Sequence, residues 1–408
     1  MPKLLQINVT ANWGSTGRIA EEIGLLAISQ GWDSYIAYGR GVPVSCSNLL
    51  RIGNDRDMRL HAVQSRLLDN HGLASKNATR QFVKQIEKIK PNIIHLHNIH
   101  GYYLNYPILF EYLACIKIPI VWTLHDCWLY TGHCAYYSAI KCYRWKNSCY
   151  DCPQRKSYPT SLLMERSAKN FSAKKTAFTL LRNLTLIPVS NWLADDVKQS
   201  FLNNYQMKVI HNGIDIHTFT LHNIQKSVLN LENKFLVIGV ASVWSARKGL
   251  EDFIRLRNIL SNDFQIVLIG LTDKQIKALP KGIIGINRTN SVEELADYYS
   301  VADVFVNPTW EDNFPTTNIE ALACGTPVIT YRTGGSVEAI SSETGMIVEQ
   351  GDLEGLSNAV QYICKKGKDT YQTACRERAV KYFNKNDRYQ EYMDLYNQLL
   401  INKNLNYC

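Results

Sequence analysis

Short apolar runs separated by stretches of helical periodicity recur along most of the 408 residues. The first run, 4–9, leads into Thr-Ala-Asn-Trp-Gly-Ser-Thr-Gly-Arg (10–18), after which Ile19, Ile23 and Leu26 repeat at helical spacing. That order predicts a strand, a glycine-containing turn and a helix. Runs at 34–38, 92–96 and 118–124 continue the series, with a helical stretch near 79–89 closed by Pro91. Apolar strands alternating with helices indicate a parallel sheet covered on both faces. The pattern breaks over 127–175, an aromatic, basic and cysteine-rich stretch that reads as an insertion after the C-terminal end of a strand. It resumes at 186–189, where Ser190 is placed to cap a helix predicted over 191–201. His-Asn-Gly-Ile-Asp (211–215) is a turn signal, followed by a polar stretch over 217–234. A second series then opens at 235–241, 264–269, 304–306 and 328–330. The expected architecture is α/β, two doubly wound domains over 1–205 and 206–380 facing a cleft. A helical run at 366–400 is expected to pack across both halves, with 381–408 returning to the N-terminal domain.

The length is ample for two cores, and 46% hydrophobic with 20% charged residues excludes fibrous and disordered classes. No apolar run approaches the roughly 18–20 residues of a membrane span. The start, Met-Pro-Lys-Leu-Leu-Gln-Ile-Asn-Val, reads as a buried strand and lacks a signal peptide's apolar region, so a cytoplasmic location is expected. Charge changes the picture locally: of the formal +9, a net +7 lies within residues 141–175. Such a stretch suits an anionic partner, or is a solvated surface. Five of eleven cysteines (Cys127, Cys134, Cys142, Cys149, Cys152) fall in the same region. Cys134, Cys142, Cys149 and Cys152 end in a Cys-x2-Cys pair of zinc-binding spacing, which leaves a structural zinc and reduced thiols as alternatives.

The stretch Asn-Pro-Thr-Trp-Glu-Asp-Asn-Phe-Pro-Thr-Thr-Asn-Ile-Glu-Ala-Leu-Ala-Cys-Gly-Thr-Pro-Val-Ile-Thr (307–330) carries the most chemistry. It predicts a loop at the C-terminal end of a strand, a short helix and the next strand. Thr317 and Glu320 fit a capping box; alternatively Glu320 accepts hydrogen bonds from vicinal hydroxyls such as those of a ribose. Loops in this position of open parallel sheets bind ligands, and helix N-termini attract anions.

This stretch resembles the signature of glycosyltransferase family 4, retaining sugar transferases of the GT-B fold, in which two acidic residues eight positions apart precede Ala-Leu-Ala-Cys-Gly-Thr-Pro-Val. Asp312 and Glu320 have that spacing, Asp312 standing where the family usually has Glu and Glu311 lying one position earlier. The resemblance implies that Glu320 holds the donor ribose and Asp312 the hexose hydroxyls, with Asn313, Phe314, Pro315 and Thr316 framing the sugar. Residues 241–250 are similar to the family's basic loop on the nucleotide diphosphate. Lys248 matches it, and Arg247 substitutes for an Arg whose usual position is held by Val243. Gly334 and Gly335 follow a strand, with Ser336 placed to cap the next helix, and Gly14 and Gly17 sit in the first glycine-rich turn. Both pairs are expected to face donor phosphate. His125 (in Thr-Leu-His-Asp-Cys-Trp) occupies the family's histidine beside the donor sugar, and His97 and His100 (in His-Leu-His-Asn-Ile-His-Gly) are candidate acceptor contacts. The whole cysteine run resembles a branch found in capsule, O-antigen and colanic-acid assembly.

The resemblance implies a retaining hexosyltransferase with a UDP- or GDP-sugar donor and a polyprenyl-diphosphate-linked saccharide acceptor, peripheral on an anionic membrane surface. His125, Arg247, Lys248 and Asp312 are the expected catalytic groups. No cofactor is expected in the chemistry, and no nucleic-acid partner. A non-catalytic sugar-nucleotide-binding protein and a GT-B epimerase are the alternatives.

Overall fold

The computed structural model describes residues 1–231 and 234–405, which form two compact units. The first is Met1–Ile210 with the chain from Tyr389 onward, and the second is His211–Arg388. In the first unit, strands β1 (Lys3–Asn8), β2 (Asp33–Tyr38), β3 (Asn48–Arg51), β4 (Ile93–Leu96), β5 (Ile120–Leu124), β6 (Leu184–Pro188) and β7 (Gln206–Met207) form one parallel sheet in the order β3-β2-β1-β4-β5-β6-β7. The second unit holds β8 (Phe235–Val240), β9 (Phe264–Ile269), β10 (Ile283–Ile286), β11 (Val304–Asn307), β12 (Val328–Tyr331) and β13 (Gly345–Val348), parallel in the order β10-β9-β8-β11-β12-β13. Both are doubly wound Rossmann-like sheets. The strand order reverses between β1 and β4 and between β8 and β11, so each sheet has a crevice at the carboxyl ends of those strands. The loops after them are the stretches whose chemistry stands out in the sequence.

The strands read as continuous apolar runs because helices cover both faces; every residue of β5 (Ile-Val-Trp-Thr-Leu) is buried. Helix boundaries follow local chemistry. Ser190 caps its helix by accepting from the Leu193 N–H (3.1 Å), but that helix ends at Lys198 rather than 201. The run expected over 366–400 is two helices, Asp369–Phe383 and Lys385–Leu405. They break at Asn384, whose extended backbone bridges to Ile214: the Ile214 N–H donates to Phe383 O (2.8 Å) and the Lys385 N–H to Ile214 O (2.9 Å).

The last helix supplies core to the first unit. Tyr389, Tyr392, Met393 and Tyr396 pack with Leu4, Ile23, Val121 and Ile187. The buried hydroxyls are paired, Tyr396 OH with His95 Nδ1 (2.6 Å) and Tyr392 OH with Thr123 Oγ1 (3.1 Å). Truncation after Arg388 removes four large buried side chains at about 3–5 kcal/mol each, which exceeds a margin of about 5–15 kcal/mol. The truncated chain is expected to lose the cooperative thermal transition of the first unit in circular dichroism.

The insertion contains one short turn of helix, Arg144–Lys146, before the helix Ser167–Phe178. Tyr130, Tyr137 and Trp145 pack inside it with their rings tilted to one another, and the hydroxyls of Tyr130 and Tyr137 donate to Asp196. Part of its positive charge is internal. Lys174 is fully buried, donating to Trp128 O (2.5 Å) and Thr131 O (3.0 Å) with its Nζ 3.5 Å from the centre of the Trp128 ring, and burial pulls its ammonium down to about 7.

Candidate active site

Three loops of the second unit meet at the crevice beside β8, β11 and β12. Residues 245–249 follow β8, 308–316 follow β11 and 333–336 follow β12. The first two are laced together through backbone carbonyls: Trp310 N–H donates to Arg247 O (2.8 Å), and the Arg247 guanidinium donates to Glu311 O (2.7 Å). Gly249 makes this approach possible, because its φ is +75° and a Cβ would stand 2.2 Å from Pro308 O. At the meeting point the Lys248 ammonium pairs with the Asp312 carboxylate. Gly334, at φ +48°, lies flat on the same segment, where a Cβ would stand 2.0 Å from Asp312 O. The Gly335 N–H donates to Asp312 O (3.2 Å), so it is engaged within the protein rather than open to a phosphate.

Glu311 is buried while Asp312 faces Lys248, which separates the two adjacent carboxylates by environment. The expected capping box does not form. The helix Thr316–Ala323 has Pro315 at its N-cap, with the proline's restricted φ of −71° leading into the first turn, so Thr317 is already inside it. Glu320 instead receives the Tyr299 hydroxyl (3.1 Å). Ser336 likewise does not cap. It is buried within the turn Gly334–Ala339, bonded to Thr330 Oγ1 (2.7 Å) and Asn318 Nδ2 (3.2 Å), and Asn318 in turn holds Asn307 (2.7 Å). These side chains form a polar floor that ties the ends of β11 and β12 to the helix carrying Glu320.

Asn313, Phe314 and Pro315 are buried and Thr316 half-buried. The sequence reading missed what holds Phe314. His211 stacks on its ring (4.7 Å between centres), Asn212 Nδ2 donates to its carbonyl (3.2 Å), and His211 Nε2 lies 3.0 Å from Glu338 Oε2. The His-Asn-Gly turn was the available signal, but it reads as a chain reversal and says nothing of its distant partners.

In the first unit, His97 and His125 follow β4 and β5 and lie side by side, Nδ1 to Nε2 at 3.2 Å, with His97 Nε2 3.0 Å from Gln6 Oε1. His100 lines the same small cavity as these two, with partners of its own: its Nε2 pairs with Asp126 (2.7 Å) and its Nδ1 meets the Tyr158 hydroxyl of the insertion (3.0 Å). Burial pushes the Asp126 carboxyl up, but His100 and the Trp128 N–H more than offset it and leave it below its usual range. Gly14 opens the first helix at φ +68° with no atom within 4 Å of a hypothetical Cβ, whereas Gly17 packs on Thr10, where a Cβ would stand 2.7 Å from Oγ1. Gly14 therefore borders open space and Gly17 serves packing.

Burial holds five histidines neutral. It depresses His61 and His125 to about 4 and His71, His95 and His97 well below 6.5. Their imidazoles bind protons more weakly folded than unfolded. Stability is therefore full above pH 6.5 and falls as pH drops from 6.5 towards 4, each fully shifted group contributing up to about 1.4 kcal/mol per pH unit. Thermal melts across this window are expected to show a steep loss, shallower in His125→Gln.

Cys134, Cys142, Cys149 and Cys152 line one small cavity of ≈ 20 Å³ with His133. Cys149 Sγ accepts from the Gly132 N–H (3.1 Å). The hydrogen bond with Cys134 pulls the Cys152 thiol down to about 7 and pushes that of Cys134 up. Among the described residues, no group of three or more His, Cys, Asp or Glu is placed to hold a metal ion.

Two doubly wound units, with an acid, two cations and tight glycines on the crevice loops of the second, define a two-domain Rossmann-like class of protein. A family described as Glycosyltransferase Family 4 matches residues 29–218, and one described as Glycosyl transferases group 1 matches residues 232–366. Together they take in most of the chain, which belongs to this glycosyltransferase family. WcaC of Escherichia coli strain K12, assigned to colanic acid biosynthesis as a glycosyl transferase, is 24% identical over 370 residues, 86% of this chain and 88% of that one. The UDP-Gal:alpha-D-GlcNAc-diphosphoundecaprenol alpha-1,3-galactosyltransferase of Escherichia coli is 24% identical over 230 residues, 51% of this chain and 58% of that one. Among solved structures, a sucrose-phosphate synthase from Thermosynechococcus elongatus superposes with a TM-score of 0.74 at 19% identity, covering 98% of this chain and 100% of that one. That likeness establishes the GT-B fold.

Proposed function

We propose that the protein is a retaining glycosyltransferase that moves a hexose from a nucleotide-diphosphate sugar to a polyprenyl-diphosphate-linked saccharide in surface-polysaccharide assembly. The observation that carries this reading is the convergence of Lys248, Arg247, Asp312 and the Gly334 turn at the carboxyl ends of β8, β11 and β12. The colanic-acid and diphosphoundecaprenol relatives support the acceptor class, and the UDP-Gal donor of the latter favours a uridine nucleotide.

When the bond between the anomeric carbon and the diphosphate breaks, its electron pair goes to the leaving phosphate oxygen. Lys248, freed from Asp312 when the diphosphate arrives, and Arg247 stabilise that charge. This is the work a divalent cation does in other transferases, so we propose chemistry that survives chelation. The acceptor oxygen bonds to the same face of the anomeric carbon and its proton passes to a donor phosphate oxygen, which preserves configuration without a protein nucleophile. Asp312 orients hexose hydroxyls, Glu320 accepts from the ribose, and neutral His125 donates to a sugar hydroxyl. His97 and His100 serve the acceptor. A structural zinc at the four thiols of the insertion is a separate proposal, and metal analysis of the purified protein tests it.

A thermal-shift screen of nucleotide sugars tests the reading. A true donor at about a hundred times its Kd stabilises the fold by about 2.7 kcal/mol, a rise of roughly 5 °C. No shift with any uridine or guanosine diphosphate sugar would contradict it. Release of the bare nucleotide with transfer to a lipid-linked acceptor excludes a non-catalytic binder.

A further inference from the structure

The helix Asp55–Leu68 is turned inside out. Its inner face buries His61 and Ser65, while Leu60 (69% exposed), Val63 (53%), Leu67 and Leu68 point to solvent. The polar inner face is a fitted one: Gly72 N–H donates to His61 Nε2 (3.1 Å), which leaves Nδ1–H to donate to Ser75 Oγ (2.8 Å). Register on the core is thus fixed by hydrogen bonds, and the apolar stripe faces outward by construction. Beside it runs a segment of the insertion with Leu162, Leu163 (70% exposed) and Met164. It is tied to the helix end by Leu162 N–H to Arg66 O (2.6 Å) and Met164 N–H to Leu67 O (3.2 Å), and Ser161 Oγ donates to Met164 O (2.7 Å). Seven exposed apolar side chains therefore form one anchored patch, the kind of surface that marks an interaction site.

Charge identifies the occupant. Exposed Arg56, Arg59 and Arg66 lie along the same helix. Its two acids are engaged at the N-terminal end, Asp55 with Arg51 and Asp57 in the capping box of Asn54. An apolar stripe edged by arginines on a surface helix matches the boundary between anionic headgroups and acyl chains. A second copy of this chain would bring like charges together. We infer that the outer face of Asp55–Leu68, with residues 162–164, docks the protein on an anionic lipid bilayer, the apolar side chains entering the acyl boundary and the three arginines meeting headgroups. This rests on the lipid-linked acceptor proposed above, whose reacting end lies at such a surface. Arg144, in the +7 stretch, is instead engaged by Tyr150 O and Asp151 O (2.6 Å each) and its guanidinium lies over the Tyr150 ring.

The test is flotation of the full chain with phosphatidylcholine vesicles with and without one-third phosphatidylglycerol. Binding is expected only with the anionic lipid. Leu60→Ser/Val63→Ser/Leu163→Ser is expected to weaken it at least about tenfold. Arg56→Gln/Arg59→Gln/Arg66→Gln is expected to weaken it roughly a hundredfold, and to do so less at high salt. Arg144→Gln is expected to change it little. Unaltered flotation of both triple variants would overturn the inference. So would a wild-type dimer that the apolar variant makes monomeric in sedimentation, since the patch would then be an interface between copies. Thermal melts confirm that these surface changes leave the fold intact. Transfer to a water-soluble acceptor analogue is read in parallel: its retention in the variants isolates docking from chemistry, whereas flotation without any transfer by wild type would defeat the proposed function and leave the docking surface standing.

Discussion

Lys248→Ala is expected to lower the transfer rate by about a hundred- to a thousandfold, because it removes a preorganised cation aimed at the charge that develops on the leaving diphosphate. Lys248 already sits at the meeting point of three loops, paired with Asp312. Its position is set by Gly249, whose left-handed backbone against Pro308 O fits only glycine without strain. The loss should fall mainly on kcat, since the charge is largest in the transition state. Glu320→Ala should behave differently. A ribose hydrogen bond is made equally in ground and transition states, so donor KM should rise about tenfold or more with kcat little changed. Steady-state kinetics with varied donor separates the two. A lysine variant altered only in KM would contradict the role assigned to its charge.

Asp312→Asn is expected to reduce kcat/KM about a hundredfold, while Glu311→Gln should reduce it far less. The two carboxylates are neighbours in sequence and differ in setting. Glu311 is turned inward, and its carbonyl takes both the Arg247 guanidinium and the Thr309 hydroxyl (3.1 Å). Asp312 faces the ammonium, and its carbonyl receives the Gly335 N–H. A charge-assisted contact to sugar hydroxyls is worth roughly 1.5–3 kcal/mol, whose upper part corresponds to a loss of about a hundredfold. Equal losses in both variants would show that the loop, rather than one carboxylate, is what matters.

The sheets are legible in the sequence because buried parallel strands leave unbroken apolar runs, as β5 and β8 do, and because Gly14, Gly249 and Gly334 sit where turns need positive φ. The acid and basic loops are legible for a different reason, a spacing shared with a family. What is hidden is pairing at a distance. Thr317 and Glu320 satisfy the spacing of a capping box, and only the position of Pro315 and the approach of Tyr299 decide otherwise. His211 and Phe314 are more than a hundred residues apart in sequence and stack in space. Lys174 counts as surface charge in a sum over residues and lies in the core. The helix Asp55–Leu68 carries an amphipathic pattern whose outward apolar face is set by the partners of His61, which periodicity cannot reveal.

The structure of the protein with an intact nucleotide sugar tests the central claim most directly. The account predicts the diphosphate within hydrogen-bond reach of Lys248 Nζ and the Arg247 guanidinium, the hexose against Asp312, and the ribose on Glu320. A diphosphate bound elsewhere, with the Lys248–Asp312 pair undisturbed and Glu320 still holding the Tyr299 hydroxyl and no ribose, would contradict it.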